Sequence, residues 1–139
     1  MQAFSLGYQE IQLQTWGRDA AQIVDVGQSI AGIDSRCVVK IPATVEGIKA
    51  AAKLKAENVK VTLTAVYASH QTLTAVAIGA DYVAPYIWLM NDAGRDVSPL
   101  VMSPCQDTQR FCDLRVDALG SFGLLWTPHA GRSPETVTF

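Results

Sequence analysis

Cys37-Val38-Val39-Lys40-Ile41-Pro42 is the stretch on which the reading of the fold turns. It is apolar and rich in β-branched residues, interrupted by one lysine and closed by a proline. Such a run suits a strand in a parallel sheet, where both faces are covered. A lysine is almost never fully buried without a reason. Desolvation disfavours the ammonium and lowers the pKa from about 10.4. An uncharged amine attacks carbonyl carbon and can form a Schiff base. The plainer alternative is that Lys40 lies at a strand end and its ammonium snorkels to solvent.

Outward from this strand, three more runs of the same character stand at 10–16, 59–66 and 82–88, each bounded by breakers or charges. Helical patterns lie between them. Ala20, Ile23, Val24, Gly27, Ile30 and Ala31 recur at three- and four-residue steps. Ile48, Ala51 and Ala52 share a face, with Thr44 placed to cap the start and Asn58 to take the left-handed stop. Leu73, Val76 and Ala77 form a third stripe, ending near Gly79. The order is β-α-β-α-β-α-β. Crossovers of this length join parallel strands, with right-handed connections.

Each strand carries a polar group near its C-terminal end: Gln14, Lys40, Thr64 and Tyr86, at intervals of 26, 24 and 22 residues. That is the length of one βα unit. Alternation by two puts Gln12 with Gln14, Val38 with Lys40, Thr62 with Thr64, and Ala84 with Tyr86. If these faces turn the same way, the four groups ring the C-terminal edge, where parallel sheets and barrels place their chemistry.

Composition narrows the classes. The chain has 139 residues, 11 basic and 13 acidic side chains, and a formal net charge of −2. That balance excludes a basic nucleic-acid or membrane-surface binder. No apolar run is long enough to span a bilayer, and the start lacks a secretory pattern. Three cysteines and two histidines fit neither a disulfide framework nor a usual zinc site, so no metal is expected and a cytoplasmic setting is the default. All five lysines fall between Lys40 and Lys60, and after Asp96 the pattern loses its period. We therefore divide the chain into a regular region, 8–96, and an irregular tail, 97–139.

The segments 38–47, 63–67 and 79–86, in this order and spacing, resemble the Schiff-base lysine strand and the next two strands of the small transaldolases and fructose-6-phosphate aldolases. The resemblance implies an α/β fold, a partial (β/α)8 TIM barrel of about four parallel strands with the irregular tail appended. The first two and last two units of that barrel would be missing. It implies an enzyme of carbohydrate metabolism needing no cofactor, with a ketose or dihydroxyacetone donor and a small sugar or sugar-phosphate substrate. Carried over, Lys40 would attack the ketone, Tyr86 would orient the proton-shuttling water, and Thr64 would hydrogen-bond that water. Gln14 would bind substrate hydroxyls and Ala84 would form pocket wall. Leu89 stands where the family has a phosphate-contacting arginine; Arg95 is a nearby substitute or, alternatively, a solvated loop charge. A half barrel would leave its inner face open, to be covered by a second copy, a partner or the tail. A catalytically inactive truncated chain and a non-enzymatic α/β interaction module remain alternative readings.

Overall fold

The computed structural model describes residues 2–5, 7–94, 113–116, 124–127 and 136–138. A short helix α1 (Gln2–Ser5) precedes β1 (Glu10–Gln14). There follow α2 (Ala20–Ala31), β2 (Cys37–Pro42), α3 (Val45–Ala56), β3 (Val61–Val66), α4 (Ser69–Ala77), β4 (Tyr82–Pro85) and α5 (Ile87–Asp92). The strands β1 to β4 are parallel and pair in sequence order, as the βα alternation requires.

Local chemistry sets the helix starts. Asp19 accepts from the Gln22 amide at 2.9 Å and Thr44 from the Gly47 amide at 3.0 Å. Asn58 takes the left-handed stop with φ 62°. Ala68, before α4, offers no capping side chain. Gln71 replaces it, its Oε1 accepting from the Tyr67 and Ala68 amides and its Nε2 donating to the Ala43 carbonyl. Gly47 is required by proximity: a Cβ there would collide with the Pro42 carbonyl oxygen.

Two helical faces differ from expectation. In α4 the buried residues are Thr72 and Ala75, whereas Leu73 is exposed. Small side chains let this helix approach the sheet, and they outweigh the more hydrophobic stripe. In α3 the buried face is Gly47, Ala50, Ala51 and Leu54, and Ala52 points outward.

Strand alternation sorts the sheet into two faces. One carries Val39, Ile41, Val61, Leu63 and Val83, which pack with Ile23, Val24, Ala50, Ala51, Leu54 and Ala75 of the helices. The other carries Glu10, Gln12, Gln14, Val38, Lys40, Thr62, Thr64, Tyr82 and Ala84. On it the Tyr82 hydroxyl donates to Glu10 Oε2 at 2.9 Å, joining β4 to β1 over the two strands between. In a flat sheet those strands would stand about 14 Å apart. The sheet is therefore curled into a half barrel with this polar face inside. The inner face is not open: Gln12, Val38, Thr62 and Thr64 are buried.

The fourth strand is shorter than the sequence run. It ends at Pro85, and the Tyr86 amide turns to the Val66 carbonyl at 3.1 Å before α5 begins. That bond is the last of the β3–β4 ladder, and the chain then turns into α5. In the tail, the described residues are three short strands, β5 (Asp113–Val116), β6 (Leu124–Thr127) and β7 (Thr136–Thr138). β5 and β6 are antiparallel, β6 lies against β4, and β7 pairs in parallel with the free edge of β1. Among the described residues no helix is long and apolar enough to cross a membrane.

Candidate functional site at the strand ends

Lys40 stands in β2 between Gln14 of β1 and Thr62 of β3 in strand register. Its backbone is held tightly. The Lys40 carbonyl accepts from the Thr15 amide at 2.8 Å, the Thr15 hydroxyl at 2.9 Å and Gln14 Nε2 at 3.3 Å. Its side chain is half-buried and has no hydrogen-bond or ion-pair partner among the described residues. Burial alone pushes its pKa below the usual lysine value. Three other lysines are matched with carboxylates: Lys49 with Glu46 at 2.7 Å, Lys55 with Asp81 at 2.7 Å and Lys60 with Glu10 at 3.7 Å. The amine of Lys40 is thus disposed toward the uncharged, nucleophilic form.

One row nearer the C-terminal edge, Pro42, Thr64 and Ala84 are register partners. Thr64 is buried and its Oγ1 has no hydrogen-bond partner in the structure. Beyond it Ala65 adopts φ 54°, in the left-handed region, and the β3–β4 register shifts between Thr64 and Val66. A bulge of this kind re-aims the chain next to a functional edge.

The expected site residues fall into three groups. Gln14, Lys40, Thr64 and Ala84 share the inner face, although the Gln14 amide is engaged with the Thr15 and Lys40 carbonyls. Tyr86 lies past the end of β4, 38% exposed, with its ring edge-to-face against Tyr67 at 5.5 Å and 78°. Arg95 lies outside the described residues, as does the side chain of Leu89. Trp16, two residues after Gln14, is 73% exposed.

The sequence reading passed over the polar residues deeper in the cup. Thr62 Oγ1 donates to Gln12 Oε1 at 3.0 Å, and Glu10 binds Tyr82. Burial first, and then the Glu10 carboxylate, push the Tyr82 phenol far above its ordinary pKa. The available signal was parity. Gln12 and Thr62 stand two residues before Gln14 and Thr64, on the same face.

A curled parallel βα sheet with intervening helices on its outer side is half of a (β/α) barrel, here with half-buried Lys40 on the inner face. The profile of one family, Transaldolase/Fructose-6-phosphate aldolase, matches residues 7–110, and the chain belongs to that family. The match runs past the compositional boundary at Asp96. The chain is 35% identical over 83 residues to a probable transaldolase of Desulfotalea psychrophila, covering 60% of this chain and 39% of the relative. It is 37% identical over 83 residues to one from Thermus thermophilus, covering 60% and 37%. Against one from Caldicellulosiruptor saccharolyticus it is 28% identical over 125 residues, covering 86% and 58%. The chain spans about two-fifths of the length of the first two of these relatives.

Proposed function

We propose that Lys40 is the Schiff-base nucleophile of an aldol-cleaving or aldol-transferring site acting on a ketose or dihydroxyacetone donor. The observation that carries this reading is the half-buried Lys40 amine, which has no carboxylate partner among the described residues. In this reading the Nζ lone pair attacks the ketone carbon, and the carbonyl oxygen takes up a proton to give a carbinolamine. Loss of water leaves an iminium ion. That ion accepts the electron pair of the adjacent carbon–carbon bond as the neighbouring hydroxyl loses its proton and the aldehyde departs. The bound enamine then adds to an acceptor aldehyde, or is protonated and hydrolysed. Thr64 Oγ1 would hydrogen-bond the water released and consumed, and Tyr86 would orient it from the rim. Ala84 would form wall beside them.

Borohydride reduction in the presence of fructose 6-phosphate or dihydroxyacetone, followed by peptide mass mapping, tests the assignment. The expected adduct is on Lys40 and is lost in Lys40→Met. An adduct spread over Lys49, Lys53, Lys55 and Lys60, or no adduct, would overturn it.

A further inference from the structure

The bond between Gln12 and Thr62 crosses the cup at the foot of the Lys40 side chain. Gln12 pairs with Val38 and Thr62 pairs with Lys40. A bond from Gln12 to Thr62 therefore passes obliquely over β2 at the step between Val38 and Lys40, on the face from which Lys40 rises. Both residues are wholly buried. The Thr62 hydroxyl occupies Gln12 Oε1, and this fixes which end of the amide is left over. That end is Nε2, a donor, buried and without a hydrogen-bond partner among the described residues. A buried unsatisfied donor is costly, so an acceptor in its reach is strongly favoured.

We propose that Gln12, oriented by Thr62, is a positioning residue whose amide N–H is satisfied by the Lys40 side-chain nitrogen, which can accept a hydrogen bond only when uncharged. The inference rests on the Schiff-base reading of Lys40 and deepens it. An ammonium has three donors and no acceptor, so the amide N–H repels it and welcomes the amine. Among the described residues the other charged or titratable groups at this face are Glu10 and Tyr82, with Lys60 just before β3 and Tyr86 just past β4. Glu10, Tyr82 and Lys60 engage one another at the opposite strand ends, Tyr82 to Glu10 at 2.9 Å and Lys60 to Glu10 at 3.7 Å. Glu10 stands four residues before the Gln14 level, about 13 Å along the strand. Besides Lys40, β3 presents Thr62 and Thr64 and β2 presents Val38 and Pro42 to this face, none of them charged.

The test is Thr62→Val, close to threonine in shape but without the hydroxyl. It frees Gln12 Oε1, which then turns to accept from the Lys40 ammonium. Simple loss of polarity would push the amine's titration midpoint down; the proposed geometry pushes it up, by about one pH unit or a tenfold loss of reactivity at neutral pH. The midpoint is read without any sugar, from the pH dependence of Lys40 acetylation by acetic anhydride. The uncharged amine takes the acetyl group and acetate leaves. Peptide mass mapping quantifies each lysine, with the other four as internal references. Thr62→Ser keeps the hydroxyl and should keep the wild-type midpoint. Gln12→Asn, too short to reach both partners, should move it as Thr62→Val does, and it serves if the valine variant does not fold. An unchanged or lowered midpoint in these variants, or an equal rise in Thr62→Ser, would overturn the proposal. Absence of ketose trapping with the shifted midpoints intact would remove the Schiff-base reading and leave the Gln12 contact standing.

Discussion

Thr15 grips Lys40 twice. Its backbone amide and its hydroxyl both donate to the Lys40 carbonyl, at 2.8 and 2.9 Å, so the residue just after β1 also fixes the backbone beneath the candidate nucleophile. Thr15 is itself buried. Thr15→Val keeps the shape and loses the hydroxyl bond. It should cost about 1 kcal/mol, read as a lower urea midpoint, with Thr15→Ser recovering most of it. A valine variant as stable as wild type would show that the hydroxyl adds nothing to the amide bond.

Lys40 makes stability depend on alkaline pH in a definite direction. Burial lowers its pKa below 10.5 in the folded chain, so between that lowered value and 10.5 the folded state holds fewer protons than the unfolded state. Stability contributed by this group therefore rises with pH across that window. Lys40→Met should be more stable than wild type at neutral pH, and the difference should shrink as pH approaches 10.5. Denaturant titrations of both proteins at several pH values would reveal it; a constant difference would contradict the lowered value.

Tyr82 acts in the opposite sense. Its phenol is held protonated above its ordinary pKa of 10.0 by burial and by Glu10. Its contribution is complete below pH 10 and is lost as pH climbs beyond it. Tyr82→Phe removes a hydrogen bond to a carboxylate and should cost about 1.5–3 kcal/mol at neutral pH. Above pH 10 the gap between the two proteins should close, which thermal unfolding across that range would detect.

Gly47 admits no side chain. A Cβ there would strike the Pro42 carbonyl oxygen, which is backbone and cannot swing aside. Gly47→Ala should push α3 away from the end of β2 and destabilise by at least about 1–3 kcal/mol, despite alanine's better helix propensity. An alanine variant with an unchanged melting temperature would mean that α3 shifts freely.

Much of this was legible in the chain because one period governs it. The strand around Lys40, the Thr44 cap and the Asn58 stop follow from local chemistry, and the βα order follows from their spacing. Other features depend on partners distant in sequence. Tyr86 reads as mid-strand by composition, yet its amide makes the last β3–β4 ladder bond, to Val66, and the chain turns into α5 at Ile87. Parity puts Gln12 beside Gln14 but does not give its partner: Thr62, fifty residues on, satisfies half of its amide inside the cup. The buried side of α4 was decided by how closely Thr72 and Ala75 approach the sheet, which hydrophobicity alone does not encode.

The pairing order of the sheet has a consequence on the ribosome. β1 to β4 join as successive neighbours, so each ladder can close as soon as its strand and the helix before it have emerged. The β7 ladder is different, because Glu10 must wait for Thr136. Until β7 has emerged the outer edge of β1 lacks that partner, and the nascent chain carries a free strand edge.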